Sequence, residues 1–381
     1  MLQNPELHYL DNAATTMVAP EVADVIDKAM REHWANPSSL YGPGARSEEA
    51  LNAARAAVAR TLGCKPKELY FTSCGSESNN LALLGAVRTR TFGKGIVVSG
   101  FEHPSVQRPL EELAKQGYNV TVVKPRPDGT LDINEMLEHV DKNTILVACM
   151  MVNNEVGTRN DVERLAAEVK RRNSRTIVHV DAVQAWMRVP IKLANIDTLS
   201  VSGHKIHAPK GVGALYIRKG LRFPPLIRGG GQEEGLRSGT EATAQIAAFA
   251  AAAQAGKATL DADIRHMAAL KEALARRLPQ EVPGAKVVVQ GEAPHILPIT
   301  LPGYKSEVIV RFLSDRGICV SSGSACHKGK PSHVYAALKL PKKELDGVLR
   351  ISFSYDTTQQ DIDALLEGLK AAQEQLFTSL S

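Results

Sequence analysis

Leu69-Tyr70-Phe71-Thr72-Ser73-Cys74-Gly75-Ser76-Glu77-Ser78 decides the fold class. Four β-favouring residues run into small polar ones, and residues 77–89 then read as a helix. That is a strand-to-helix junction, and the alternation it starts continues along the chain. Residues 95–99 read as a strand. Residues 104–116 read as a helix, with Pro104 in its first turn and Gly117 past its end. A strand at 120–123 follows, then a helix near 133–139, a long apolar strand at 144–151, a helix at 159–172 and strands at 176–180 and 212–217. This order predicts an α/β unit with a mostly parallel central sheet.

Working outward, residues 43–62 predict a helix, with Pro43 near its start and Gly63 after it. Residues 228–235 (Arg-Gly-Gly-Gly-Gln-Glu-Glu-Gly) must be a loop. Residues 242–278 are Ala-rich and helical, as two helices or one long bent one, and the domain boundary is expected inside them. The remainder, from about 260 to 381, has fewer and shorter strands and reads as a smaller α+β domain. A chain of 381 residues exceeds what one core usually serves, which agrees with two domains.

Composition excludes several classes. Charged residues are 23% and the net charge is only +5, spread along the chain, so nothing suggests a nucleic-acid partner. No apolar run reaches the roughly 18 residues of a membrane span. The start, Met1-Leu2-Gln3-Asn4-Pro5-Glu6, lacks the basic-then-apolar order of a secretory signal, so cytoplasm is the expected location. The five cysteines (Cys64, Cys74, Cys149, Cys319 and Cys326) form no CxxC pair, so neither a disulfide framework nor a metal site is expected.

Four segments can carry chemistry. At Ser73 to Ser78 the free N–H groups of a helix start make an anion site, and the same serines can simply cap the helix. At Val178-His179-Val180-Asp181-Ala182-Val183-Gln184, an Asp ends a buried-looking strand, where α/β sheets bind ligands. Such a carboxylate needs a partner. A protonated ring nitrogen of a cofactor would be one, and the start of the next helix would be another. In Ser200-Val201-Ser202-Gly203-His204-Lys205, a lysine follows a strand among small and polar residues. An aldehyde cofactor needs such a lysine for a Schiff base. Lastly, in Ser321-Ser322-Gly323-Ser324-Ala325-Cys326-His327-Lys328-Gly329-Lys330, the thiol is followed by cations, which favour thiolate. Cys149 and Cys319 sit in apolar runs and read as small buried hydrophobes.

Together these segments resemble the cysteine desulfurases of the class V aminotransferase family, of fold type I. The resemblance runs nearly end to end. It includes Tyr9-Leu10-Asp11-Asn12-Ala13-Ala14-Thr15-Thr16, Asn36-Pro37-Ser38-Ser39, residues 71–80, Glu102-His103, Asn153-Asn154-Glu155-Val156-Gly157, residues 179–184, residues 202–205, Arg237-Ser238-Gly239-Thr240 and residues 321–326. Ser-Gly-Ser-Ala-Cys resembles the branch with a long cysteine loop, which includes the housekeeping and nitrogen-fixation enzymes. The Arg-x-Gly-His-His-Cys pattern of the other branch is absent.

The resemblance implies a large pyridoxal-phosphate-binding domain (15–258) and a small α+β domain (1–14 and 259–381) that carries the cysteine loop. It implies removal of sulfur from L-cysteine, giving L-alanine and a persulfide on Cys326 for an acceptor such as an iron–sulfur scaffold or a thiolation enzyme. Lys205 would hold pyridoxal 5'-phosphate, Asp181 would pair with its ring nitrogen, Gln184 would bond its phenolic oxygen, and His103 would stack on the ring and help move protons. Gly75, Ser76, Ser202 and His204 would hold the phosphate, with Thr240 reaching in from the second subunit of a homodimer. Asn154, which would also touch the cofactor, Arg350 and Asn36 would bind the substrate.

The sequence departs from the family at three places. Cys74-Gly75-Ser76 stands where Gly-Ala-Thr is usual, and Ser76 keeps the hydroxyl. Tyr41 stands where His is frequent. The cysteine loop, with His327-Lys328-Gly329-Lys330, is slightly shorter than the commonest form. The competing readings are a selenocysteine lyase, a class V aminotransferase or decarboxylase without persulfide chemistry, and a non-catalytic sulfur-assembly scaffold.

Overall fold

The computed structural model describes residues 7–322 and 332–378. Strands β1 (His8–Tyr9), β2 (Leu69–Thr72), β3 (Gly95–Ser99), β4 (Asn119–Val123), β5 (Thr144–Ala148), β6 (Ile177–Asp181), β7 (Thr198–Ser202) and β8 (Gly213–Ile217) lie in the first two-thirds of the chain. Then come β9 (Lys286–Val287), β10 (Ile296–Thr300), β11 (Ile318–Cys319), β12 (Ser321–Ser322) and β13 (Val348–Ser352). The helices are α1 (Pro20–Glu32), α2 (Gly42–Leu62), α3 (Gly75–Thr89), α4 (Pro104–Lys115), α5 (Ile133–Glu138), α6 (Val162–Arg172), α7 (Thr243–Glu281), α8 (Ser306–Ser314), α9 (His333–Ala337), α10 (Lys342–Leu345) and α11 (Gln359–Gln375).

Seven strands form the central sheet in the order β2-β8-β7-β6-β5-β3-β4. Only β8 runs antiparallel to its neighbours. β5 to β8 are buried at every residue, as strands covered by helices on both faces must be. A four-stranded antiparallel sheet, β12-β13-β10-β9, belongs to the C-terminal part. β1 pairs with β11, so the start of the chain is tied to that same part. The mostly parallel sheet and the smaller C-terminal sheet are those expected from the sequence.

The apolar core follows this division. Phe71, Val147, Val178, Leu199, Trp186 and Phe249 belong to one buried cluster on the central sheet. Leu10, Leu274, Ile299, Leu349, Phe353 and Leu365 belong to another. α7 is a single helix of 39 residues whose first half (Ile246, Phe249, Ala253) packs in the former and whose second half (Met267, Leu270, Leu278) packs in the latter. Pro279 sits in its last turn. Among the described residues no helix is long and apolar enough to cross a membrane.

Element ends differ from expectation for local reasons. β5 stops at Ala148, yet the chain stays tethered: the N–H of Cys149 and of Met151 donate to the carbonyls of His179 and Asp181, while that of Met150 turns to the Glu102 carboxyl. α6 begins at Val162 because Asp161 caps it, its carboxylate accepting the Arg164 N–H. α3 starts two residues early, at Gly75. The sequence reading does not delimit β7.

Gly213 shows how closely the junction is packed. A Cβ there would lie 2.9 Å from the Cys74 carbonyl carbon and 2.9 Å from the Val201 oxygen. Both are backbone atoms that cannot rotate away, so β8 lies directly against the turn between β2 and α3. Gly213→Ala is expected to lower the unfolding free energy by about 1–3 kcal/mol in urea denaturation, the usual cost of overpacking. An unchanged midpoint would show that the turn yields freely.

Candidate active site

The C-terminal ends of β2, β3, β5, β6 and β7 deliver the candidate residues, as the rule for ligand sites in parallel sheets requires. Asp181 is the last residue of β6 and is only 4% exposed. A carboxylate so enclosed must be hydrogen-bonded. Its Oδ1 accepts the Val183 N–H at 2.9 Å, and its Oδ2 accepts the Asn79 side-chain amide at 2.8 Å.

Asn79, on the second turn of α3, uses every polar atom it has. Its Nδ2 donates to Asp181 and to the Ser105 hydroxyl at 2.9 Å, and its Oδ1 faces His179 Nε2 at 3.0 Å. His179 Nδ1 lies 2.9 Å from the Thr198 hydroxyl. Burial pushes the His179 imidazole down to about 3, so it is neutral. Nε2–H therefore donates to Asn79, and Nδ1 accepts from Thr198.

His103 caps α4. Its Nδ1 accepts the Ser105 N–H at 3.1 Å and stands 2.8 Å from the Ser105 hydroxyl. An accepting Nδ1 places the proton of the neutral ring on Nε2. Burial holds the imidazole below its ordinary pKa, and Lys205 adds to this, while Asp181 opposes it. His103 thus lies within electrostatic reach of both groups.

Lys205 follows β7 in a short helical turn. Its Nζ donates to the carbonyls of Ala13 and Ala14 at 2.7 and 2.6 Å. The Gln184 amide donates to the same Ala13 carbonyl at 2.8 Å. His204 Nδ1 is 3.2 Å from the Thr15 hydroxyl. Burial, then Lys205 and Lys210, push that imidazole down to about 4. The segment 11–16 therefore lies across the site, laced to the Lys205 turn.

An anion cradle lies beside these groups. Cys74 is extended and Gly75 opens α3, so free N–H groups and the positive end of the helix face the junction. A Cβ on Gly75 would meet Val183 at 2.6 Å and the Ser202 Cβ at 3.5 Å, so Ser202 adjoins the helix start. The Ser202 hydroxyl is buried with no partner. A buried orphan hydroxyl beside a helix N-terminus fits a phosphate. Glu77 ties the edge of this cradle, accepting the Ser73 N–H at 2.7 Å and the Arg237 guanidinium at 2.8 Å.

Arg350, on β13, reaches across from the second sheet. Its Nη1 donates to the Asn154 carbonyl and its Nη2 to Asp11 Oδ1, both at 2.9 Å. Asn154 meets Arg350 through its backbone. Asn36, Ser76 and Thr240 are exposed. Asn36 Oδ1 accepts the Ser38 N–H, and among the described residues no hydrogen bond joins Asn36 or Thr240 to the cluster. Cys326 and residues 327–330 lie outside the described residues. Asn79, Glu102, His179 and Asp11 have no role in the sequence reading. A buried-looking amide one turn past the junction is the signal for Asn79. The other three draw attention only once strand ends are brought together.

The aminotransferase class-V family model matches residues 8–365. A cysteine desulfurase of Trichormus azollae is 40% identical over 376 residues, covering 97% of this chain and 93% of that one. The chain belongs to the class-V aminotransferases, within their cysteine desulfurase group. This family generally uses pyridoxal phosphate. A solved NifS-like protein superposes on this class-V chain with a TM-score of 0.91 at 35% identity, covering 97% of this chain and 99% of its own. A structure described as SspA in complex with cysteine superposes with a TM-score of 0.78 at 31% identity, covering 92% and 99%.

One buried residue next to His103 gives a test of the electrostatics. Glu102 is fully buried. Its Oε1 accepts the Met150 N–H at 2.6 Å, and its Oε2 has no partner. Burial first, and the Asp181 charge second, push its carboxyl up to about 8. Between the ordinary carboxyl value and pH 8 the unfolded chain gives up this proton while the folded chain keeps it. Glu102 therefore makes stability fall as pH rises through that window. Glu102→Gln is expected to remove the slope. Relative to wild type the variant gains on the order of a few kcal/mol in urea denaturation at pH 8, and little or nothing at pH 4. An equal difference at both pH values would show that Glu102 is not held as the neutral acid.

Proposed function

We propose that the chain binds pyridoxal 5'-phosphate through Lys205 and removes sulfur from L-cysteine, leaving L-alanine and a persulfide on Cys326. The observation that carries this reading is the meeting of Lys205, Asp181 and His103 at the strand ends, beside the orphan Ser202 hydroxyl at the α3 N-terminus. That donor set suits each part of the cofactor: an amine for the aldehyde, an anion for the ring nitrogen and a cradle for the phosphate. When bound, the cofactor supplies an electron sink that makes the substrate Cα proton removable.

The chain's own residues do the rest. Asp181, oriented by Asn79, would offer its carboxylate to the ring nitrogen. Gln184 offers an amide N–H to the phenolic oxygen. Gly75, Ser76, Ser202 and His204 hold the phosphate. The neutral His204 ring brings a hydrogen bond without a charge. Lys205 and His103 move the Cα proton, and His103 does so from Nε2, because Ser105 occupies Nδ1. Arg350 takes the substrate carboxylate, for which its planar fork is suited, with Asn154 and Asn36 as further contacts of the amino acid.

The Cys326 thiolate attacks the cysteine sulfur. An S–S bond forms, the C–S bond breaks, and its electron pair remains on Cβ, where a proton completes the methyl group of alanine. An acceptor thiolate, on a protein such as an iron–sulfur scaffold, then takes the outer sulfur by exchange. In the sequence, Lys328 and Lys330 follow Cys326 closely, and nearby cations favour thiolate.

A second copy of the chain belongs to this reading. Met30 and Trp34 are 64% and 68% exposed, and Leu40, Tyr41 and Ile227 are also exposed. The Thr243 hydroxyl donates to the His33 carbonyl, which brings the Thr240 segment beside these apolar side chains. A homodimer would cover them, and Thr240 would reach the partner's phosphate, as the family resemblance implies.

Cys326→Ala is expected to keep the visible absorbance of the bound cofactor and to lose sulfide release from cysteine by at least about a hundredfold. Lys205→Ala is expected to lose the absorbance of the protein-linked cofactor as well. Undiminished sulfide release from Cys326→Ala would remove that residue from the reaction. A full spectrum in Lys205→Ala would remove the lysine as anchor.

A further inference from the structure

Asp11, Ala13 and Ala14 occupy three side chains assigned above to cofactor and substrate. The Ala13 carbonyl accepts from both Gln184 and Lys205, and the Ala14 carbonyl accepts from Lys205 again. Asp11 takes Arg350. Of these contacts only the last sets a carboxylate against the group that is to bind the carboxylate of the substrate.

Its geometry is fixed by the fold. The backbone of Asp11 forms a parallel bridge with Ser352, two residues beyond Arg350 on β13. The Asn12 amide and the Ala13 N–H add bonds to Ser352. Asp11 therefore lies in a chain running alongside β13, and its carboxylate meets the guanidinium from the side. Arg350 and Asp11 side chains are 10% and 19% exposed, so water shields the pair poorly. Nη1 is held by the Asn154 carbonyl, and Nε is buried without a partner. The other carboxyl near Arg350 is Glu155, which accepts the Ser332 hydroxyl and which burial pushes up to about 7. Asp11 is thus the carboxylate in direct contact with the fork.

We propose that Asp11 is a positioning residue and counter-anion for Arg350, which the carboxylate of an incoming amino acid must outcompete, so that Asp11 sets the affinity of the site for amino-acid carboxylates. This rests on the assignment of Arg350 to the substrate carboxylate. A carboxylate arriving at a bare guanidinium gains a whole ion pair. One arriving at a guanidinium already neutralised gains the difference between two. Asp11 therefore weakens the hold on substrate and product alike, and speeds the departure of alanine.

Asp11→Asn keeps the oxygen that accepts from Nη2 and removes the charge. In the holoenzyme, the KM for L-cysteine is expected to fall about tenfold, the size of one partly shielded charge contact. Titration of the cofactor spectrum with L-alanine should tighten by the same factor, and kcat should not rise in proportion. Asp11→Ser, checked for folding by thermal melting, should shift the alanine titration in the same direction. Unchanged or weaker alanine binding in a folded variant of either kind overturns the proposal, because loss of mere orientation would weaken binding. Arg350→Met separates this from the reading beneath it. If that variant binds L-alanine as well as wild type, the assignment of Arg350 fails, whatever the Asp11 variants do.

Discussion

The buried amide of Asn79 is the hinge of the site. It is fully enclosed, and its three hydrogen-bonding positions go to Asp181, Ser105 and His179. Those partners come from two elements: β6, at its middle and its end, and the start of α4. Through Ser105 it also governs His103. An amide serves here where a charged group would not. It donates to an anion, donates to a hydroxyl and accepts from a neutral imidazole, all without adding charge to a dry interior. Each such bond contributes about 1 kcal/mol net, and those to a charged partner somewhat more. Leaving the Asp181 carboxylate buried and unpaired would cost several kcal/mol. The network's value lies in preventing that cost more than in the sum of its bonds.

Charge is rationed in the same way across the site. Three imidazoles (His103, His179 and His204) are held below their ordinary pKa mainly by burial. Glu102 is held above its own, again mainly by burial. His179, His204 and Glu102 act through their hydrogen bonds. His204 binds Thr15, His179 orients Asn79, and Glu102 holds the Met150 N–H where β5 ends.

Much of this was legible in the sequence, and the reason differs from part to part. The strands and helices of the central sheet were readable because β-branched runs and Ala- or Leu-based amphipathic runs alternate with turn residues between them. β2 and β3 begin and end where the pattern placed them. β7 was harder, because Thr198-Leu199-Ser200-Val201-Ser202 mixes hydroxyls with apolar residues and is buried throughout. Its hydroxyls are buried because they serve the site. The Ser202 oxygen is an orphan and that of Thr198 holds His179. Lys205 and Asp181 stood out because each sits at or just past the end of a strand, while the role of Gln184 came from the family resemblance. Asp11 and Asn79 did not, since what defines them is a partner more than 100 residues away, and no local pattern reports such a pairing. The family resemblance supplied the roles that spacing alone left open at Gly75 and Asp181.

The crossing of the site by residues 11–16 links the two halves of the molecule. β1 is fixed to β11, Asp11 and Asn12 to Ser352, and Thr16 to the His204 carbonyl. One short segment thus connects the second sheet, which carries Arg350, to the turn that carries Lys205. A shift between the central sheet and the C-terminal part would pull on this segment first. Its anchors at the fully buried Ser352 include backbone bonds to Leu10 and Asn12, whereas its bonds to Lys205, Gln184 and Arg350 are made at side-chain tips. The weaker set is the one that yields. The same segment can therefore register the two halves to each other and still release the functional side chains one at a time.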